Sequence, residues 1–227
     1  MRKISFCLFA ILYTTCSFSQ TNLEAYGSFI RNFTDGYNNS TQGIGIRIEF
    51  GREDAFLTKY FGLAYTFPMY PTDVIEAHAF DNWTTPSYVN VTARYKQSMV
   101  RLEGGGKYYL SGDASTFEGV NWYLNGGAEV IYITNTPTYS YYDKENYTLG
   151  YTDDSDVNPD GTEKFGLNLH LSVGTGVEKN LGPGNIFCQA GFAFPVVRTN
   201  QQAGGIESFT PLPLNLNLGY KIPLGRR

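Results

Sequence analysis

The 227-residue sequence lacks the features of a helical protein. Charged residues make up only 17% of it, and it contains two histidines. Beyond residue 19 no apolar stretch approaches the roughly 20 residues that a membrane-spanning helix needs. No segment has apolar residues at the i, i+3, i+4, i+7 spacing of an amphipathic helix. These absences argue against a helical membrane protein and against an α-helical fold.

The first segment of the chain predicts export. Residues 1–19 begin with two basic residues, continue with an apolar run of about ten residues and end with the small residues Ser17 and Ser19. This is the pattern of a secretory signal peptide, and we expect cleavage before Gln20. The mature protein would then be a single domain over residues 20–227.

Cysteine is scarce, and two of the three cysteines lie in the predicted signal peptide. Loss of Cys7 and Cys16 leaves Cys188 alone, so no intramolecular disulfide can form. Lipidation at Cys16 is a minor alternative, because Thr15 and Tyr13 stand where a lipidation motif needs a small and an aliphatic residue.

The mature chain also lacks an excess of basic residues. It retains 15 Lys and Arg residues against 21 Asp and Glu residues, a net charge of −6, which argues against nucleic acid as a partner. What it does have is aromatic residues, 16% of the chain, and 25 glycines. These residue types suit strands and close backbone contacts.

Alternation of apolar and polar residues is the dominant pattern, and it predicts β-strands. It is clearest from Leu212 to Leu224, where seven apolar residues share one face. The same period appears at residues 23–33, 44–50, 61–67, 122–132, 165–173 and 186–194.

Residues 88–110 are harder to interpret, because their apolar residues change face. They occupy odd positions from Val89 to Tyr95 and even positions from Val100 to Tyr108. The pattern predicts either one long strand reset by a bulge near residues 96–99, or two strands separated by a turn. We favour one strand with a bulge, because single-chain bacterial barrels have an even number of strands, here eight.

The predicted connections fall into two classes. Residues 52–58, 111–119 and 179–185 form short turns, whereas 34–41, 70–86, 135–162 and 198–209 are mostly longer and polar. Short turns on one rim and long loops on the other are typical of outer-membrane barrels.

The length of the strands and the composition of their polar face favour a membrane barrel over a soluble one. Alternation alone does not decide, because a lipocalin-like barrel has the same period. Several runs reach 9 to 13 residues, against the roughly 9 to 11 of a tilted membrane strand. The polar face is rich in Gly, Asn and Ser, which suits a packed lumen. We therefore predict an all-β fold, an eight-stranded antiparallel up-and-down transmembrane β-barrel.

This prediction places a polar cluster in the lumen and aromatic residues against lipid. The luminal residues would be Arg47, Glu49, Arg101, Glu103, Lys107, Glu129, His170 and Lys221. Opposite charges among them are expected to pair. The aromatic girdle near the short turns would consist of Phe50, Phe61, Tyr108, Trp122 and Tyr220.

The C-terminal residues carry a resemblance to a known family. Asn217-x-Gly219-x-x-Ile222-x-Leu224 resembles the barrel-assembly signal, although Ile222 stands where an aromatic residue is usual and three residues follow Leu224. With the pattern of the whole mature chain, it resembles the small bacterial outer-membrane-protein β-barrel domain family, which includes OmpA- and OmpX-like eight-stranded barrels. The resemblance implies a location in outer-membrane lipid and insertion by the barrel-assembly machinery.

No catalytic pattern is recognisable, and we predict no enzyme activity and no cofactor. His78 falls in a predicted long loop, and His170 is interpreted as a hydrogen-bonded member of the polar lumen. The longest loop offers a weak calcium candidate in Asp154, Asp156, Asn158 and Asp160. The glutamate that normally completes such a loop is replaced by Leu167, so a solvated acidic loop is the preferred interpretation.

The predicted function is that of a non-enzymatic outer-membrane barrel whose exposed loops serve envelope structure or contact an unknown extracellular or envelope partner. A tyrosine-rich run, Tyr139, Tyr141, Tyr142, Tyr147 and Tyr151, would either contact ligands or extend strands above the membrane. A narrow pore for small solutes and a soluble periplasmic ligand-binding barrel are the alternatives.

Overall fold

The computed structural model describes residues 20–31, 40–51, 56–81, 83–111, 119–149, 164–198 and 214–224. The predicted signal peptide and the four calcium-candidate residues lie outside these ranges. The described strands are β1 (Gln20–Arg31), β2 (Ser40–Gly51), β3 (Leu57–Met69), β4 (Thr72–Ala79), β5 (Tyr88–Tyr109), β6 (Val120–Tyr139), β7 (Tyr147–Leu149), β8 (Lys164–Asn180), β9 (Asn185–Arg198) and β10 (Leu214–Leu224). Within the same ranges, no helix is long and apolar enough to cross a membrane.

Eight of these strands form a closed antiparallel barrel. The circuit runs β1-β2-β3-β5-β6-β8-β9-β10 and returns to β1, whose partners are β2 and β10. Closure pairs the backbone N–H and C=O groups between strands, as a lipid environment requires. The predicted eight-stranded barrel is confirmed.

The two faces of the barrel have the polarity of a membrane protein. On β2 the side chains of Ile44, Ile46 and Ile48 are 40 to 55% exposed, whereas Arg47 and Glu49, on the opposite face, are at most 3% exposed. Aliphatic residues outside and charges inside are the reverse of a soluble lipocalin-like barrel. The exterior is therefore a lipid-facing surface.

The predicted bulge in β5 is wrong. β5 pairs with β6 in one unbroken register from Ala93 opposite Tyr139 to Tyr109 opposite Tyr123. From Val91 to the end of the strand its odd-numbered residues face inward. All of them are buried except Gly105, which is partly exposed. The register shift of this region lies instead in β3, between residues 66 and 69.

The apolar residues of β5 change face because the surroundings change along the strand. From Val100 to Tyr108 the even-numbered residues of β5 face lipid and are apolar. Before Val100, in the part of β5 that extends beyond the barrel, the even-numbered residues are exposed and polar, as at Arg94 and Lys96. The odd positions are charged in the lumen and apolar higher up. A hydroxyl pair, Ser98 and Thr134 at 2.8 Å, lies at the transition.

Above the transition the sheet continues beyond the barrel. β4 takes the place of β3 beside β5, pairing from Thr72 opposite Arg94 to His78 opposite Tyr88. β7 pairs with the end of β4. The result is a four-stranded sheet in the order β6-β5-β4-β7, so residues 70–86 are not simply a loop and His78 lies in a strand. It stands on the rim that the long connections predict to be extracellular, and it is called the extracellular sheet below.

The extracellular sheet has an apolar core of its own. Residues 140–146 carry the chain from β6 to β7 at the far edge of the sheet. Tyr147 packs with the buried Ala77 and Val91, and Tyr139 and Tyr142 pack against this cluster. Most of the tyrosine-rich run therefore stabilises the extension from within, whereas Tyr141 is 97% exposed and Tyr151 lies outside the described residues.

Candidate functional site

Among the described residues, nine charged side chains in the lumen form one continuous chain of ion pairs along which the signs alternate. In order they are Glu129, Arg101, Glu103, Arg47, Glu24, Lys107, Glu49, Lys221 and Glu178. None is more than 7% exposed. They come from β1, β2, β5, β6, β8 and β10, so the chain ties six of the eight barrel strands together.

The first half of the ion-pair chain is centred on Glu103. Arg47 Nε donates to Glu103 Oε2 at 2.6 Å, and the Tyr26 hydroxyl donates to Glu103 Oε1 at 2.6 Å. Arg101 lies 3.7 Å from Glu103 and 3.6 Å from Glu129. Glu103 therefore has three partners, whereas Glu129 ends the chain.

The second half is centred on two lysines. Lys107 Nζ donates to Glu24 and, at 2.7 Å, to Glu49 Oε2. Lys221 Nζ donates to Glu178 Oε1 at 2.7 Å and lies 3.6 Å from Glu49 Oε1. A contact of 3.9 Å between Arg47 Nη1 and Glu24 Oε2 joins the two halves.

Aromatic rings fill the space around these charges, and glycines make room for them. The ring of Tyr26 lies so close to Gly45 that a Cβ there would overlap it, and Tyr123 lies in the same way over Gly176. The Arg47 guanidinium stands 4.4 Å from the centre of the Tyr26 ring. The lumen is thus packed with side chains, as the small diameter of an eight-stranded barrel requires.

An apolar cluster lies on the extracellular side of the charges. It consists of Ile30, Met69, Met99, Ile131 and Ile133, which are 3 to 9% exposed and pack on one another. These residues lie towards the extracellular ends of their strands. Together with the ion pairs, this apolar layer fills the lumen where a solute would have to enter.

The extracellular sheet presents aromatic side chains to the outside. Exposed fractions are 49% for Tyr70, 58% for Phe80, 91% for Trp83, 50% for Tyr88 and 97% for Tyr141. These residues lie on or beside a hydrogen-bonded sheet, so their backbone positions are fixed before any partner arrives.

The turn that contains Trp83, between β4 and β5, is stabilised by hydrogen bonds to the carboxylate of Asp81. Asp81 Oδ1 accepts hydrogen bonds from the Trp83 N–H at 3.0 Å and from the Thr84 N–H and hydroxyl, both at 2.7 Å. The Thr84 hydroxyl and these backbone donors hold the pKa of Asp81 below its usual value. The ionised carboxylate therefore accepts three hydrogen bonds within the turn.

Comparison with solved structures agrees with this geometry. Neisserial surface protein A superposes with a TM-score of 0.52 at 10% identity, over 90% of this chain and 96% of the other. A major outer membrane protein from Thermus thermophilus superposes with a TM-score of 0.50 at 12% identity, over 90% of this chain and 98% of the other. The chain has the fold of the small outer-membrane β-barrels. No protein-family model matches it, and no curated protein is similar in sequence.

The structure brings the predicted luminal residues together and adds two carboxylates that sequence reasoning missed. Glu24 and Glu178 are at most 1% exposed and take part in the ion-pair chain. The alternation in their strands held the signal, because both occupy the face opposite the apolar residues. His170 is 1% exposed and lies opposite Glu129 in the pairing of β6 with β8.

The two histidines lie in different parts of the molecule. His170 is enclosed in the lumen, whereas His78 lies on the extracellular sheet, 3.6 Å from Glu76. In the part of the chain that the structure describes, no group of three or more His, Cys, Asp or Glu residues is placed to hold a metal ion. The calcium candidate falls outside that part and stays a prediction.

Proposed function

We propose that this protein is a non-enzymatic, non-conducting barrel of the bacterial outer membrane, which presents its extracellular sheet to a partner outside the cell. One observation carries the proposal: a folded sheet with exposed aromatic residues stands on a barrel whose lumen is filled. Such aromatic residues supply large contact areas at low conformational cost. Exposed aromatic residues of this kind are what supports an interaction site on the sheet.

The filled lumen supports a scaffold rather than a pore. An ion entering it would have to separate buried ion pairs and pass the apolar layer that contains Met69 and Met99. Breaking one buried pair costs about 3 to 5 kcal/mol. Planar-bilayer recordings of the purified barrel are expected to show no unitary conductance, and regular single-channel steps would refute a closed lumen.

The non-enzymatic character rests on the placement of the two histidines. His170 is enclosed and His78 lies on the extracellular sheet, so they do not form a shared site. The barrel-assembly machinery would insert the chain into the membrane. Ile222 and Leu224 of β10, which face lipid, stand at the hydrophobic positions of the C-terminal signal that this machinery recognises.

The orientation can be tested by labelling cysteines on intact cells. In a Cys188→Ser background, Trp83→Cys should react with a membrane-impermeant maleimide, because this position is 91% exposed on the extracellular side. Leu181→Cys, which is 55% exposed in the turn between β8 and β9, should react only after the outer membrane is opened. The opposite labelling pattern would invert the proposed orientation and refute presentation of the sheet.

Contact with a partner can be tested with proteoliposomes applied to arrays of glycans and extracellular proteins. The wild type is expected to bind a subset of spots, and a Phe80→Ser, Trp83→Ser variant should lose that binding by about tenfold or more. Leu181→Ser is the matched control, since Leu181 is also exposed, at 55%, but lies at the opposite rim. Equal binding by all three proteins would contradict the proposed surface.

A further inference from the structure

An apolar groove runs along β1 on the lipid-facing surface of the barrel. The small residues Ala25 and Gly27 form its floor, and the groove has a volume of about 750 Å³. Its walls are formed by Ile44, Ile46, Leu63 and Tyr65 on one side and by Ile186, Leu218 and Tyr220 on the other. A Cβ added to Gly27 would meet no heavy atom closer than the Gly43 carbonyl oxygen, 4.0 Å away, so the floor of the groove is unfilled.

The position of the groove decides what surrounds it. Its wall residues belong to the exposed apolar band of the barrel, with Ile46 55% and Leu218 59% exposed. Acyl chains are therefore the molecules in contact with it. Lipid tails are as apolar as these walls, so the walls alone cannot select one lipid over its neighbours. A lipid that stays bound needs a polar contact as well.

Arg31 is placed to supply that contact. It is exposed at the extracellular end of β1 and, by the alternation of the strand, lies on the same face as Ala25 and Gly27. Four residues separate it from Gly27, which corresponds to about 13 Å along a strand. This spacing places Arg31 beyond the end of the groove, with Phe29 between it and Gly27 on the same face of β1.

We propose that the groove binds one acyl chain of a phosphorylated outer-leaflet lipid of the lipid A class, and that Arg31 binds its phosphate. The acyl chain fills the space over Ala25 and Gly27 between the two walls. Guanidinium and phosphate form charge-assisted, often bidentate hydrogen bonds, which supply the selectivity that the apolar walls lack. The site is separate from the extracellular sheet and does not depend on its function.

The test measures retention of monophosphoryl lipid A, the probe lipid, by native mass spectrometry of the barrel in mild detergent. Gly27→Leu fills the groove and Arg31→Gln removes the charge, and each is expected to weaken retention about fivefold. Gly126→Leu is the matched control. Gly126 is also an exposed strand glycine on the lipid-facing side, with 3.8 Å to the nearest atom around an added Cβ, but it does not line the groove.

Folding of each variant is checked by its mobility on gels with and without heating, and Ala25→Leu is a second groove-filling variant if Gly27→Leu does not fold. Unchanged retention in the folded groove-filling variants would overturn the proposal. So would an equal loss in Gly126→Leu, which would mean non-selective surrounding lipid. If the wild type were a dimer and Gly27→Leu made it monomeric, the occupant of the groove would be a second copy of the chain, and the lipid proposal would be wrong. Unchanged retention in Arg31→Gln would overturn the phosphate contact.

Discussion

Lys107 is the residue whose removal should most damage the barrel. Its side chain is completely buried and donates hydrogen bonds to both Glu24 and Glu49. Lys107→Met keeps the length and much of the packing of the side chain but removes the charge. Two carboxylates on neighbouring strands then face each other in the lumen without the cation that separates them.

The structure sets the expected magnitude. Breaking a buried ion pair from one side costs about 3 to 5 kcal/mol. Glu49 keeps Lys221 at 3.6 Å and Glu24 keeps Arg47 at 3.9 Å, but these contacts are longer than those lost. We therefore expect Lys107→Met to lower the free energy of unfolding by about 4 kcal/mol.

A second substitution separates charge from packing. Glu24→Gln combined with Lys107→Met removes one cation and one carboxylate, so the balance of charge in the lumen stays as it is in the wild type. A barrel that loses a matched pair should recover to within about 2 kcal/mol of the wild type, because replacing a buried pair is far cheaper than breaking it.

The assay is urea unfolding of the refolded barrel in lipid vesicles at pH 7. Tryptophan fluorescence reports the transition, because Trp122 lies on the lipid-facing side and is 53% exposed there. The reasoning would be refuted if Lys107→Met unfolded within about 1 kcal/mol of the wild type. It would also be refuted if the double variant were no more stable than the single one.

Three further changes test other parts of the structure. Leu102→Arg should cost about 2 kcal/mol or more by burying a charge in lipid, whereas Thr92→Arg, on the same face of β5 above the membrane, should be near neutral; equal vesicle-unfolding midpoints would contradict the membrane boundary assigned here. Arg47→Leu should lower stability more than Glu129→Leu, because Arg47 is interior to the ion-pair chain and Glu129 ends it; the reverse order in urea unfolding would exclude that arrangement. Gly45→Leu should prevent refolding, seen as loss of the heat-sensitive gel band, because it would displace the ring of Tyr26, which is buried and hydrogen-bonded to Glu103.

Most of the barrel could be predicted because alternation is a local property of the chain. Residues such as Ile46 and Arg47 point to opposite faces whatever the rest of the fold does, so a period of two separates lipid from lumen. The same logic placed the luminal charges on one face. It applies equally to Glu24, which lies within the predicted strand 23–33, and to Glu178, which lies five residues beyond the predicted run 165–173.

The bulge predicted in β5 shows where local reasoning fails. The sequence reports which residues are apolar, but the same face of a strand can meet lipid at Leu102 and water at Arg94. The apolar face therefore changed without any change in the backbone register. Only the pairing of β5 with β3, β4 and β6 distinguishes a change of surroundings from a bulge.

The sequence by itself determined the strands, the closed architecture they favour and the residues that face inward, because these depend on alternation within each strand. The tertiary structure decided which charges meet, since Lys107 and Glu24 are 83 positions apart and only the strand registers bring them together. It also decided that β7 joins β4 in a sheet beyond the barrel, because only the fold brings Thr148 opposite His78, 70 positions earlier in the chain. The groove over Gly27 also depends on the tertiary structure, because a glycine leaves a groove only where larger residues from the adjoining strands lie on both sides of it.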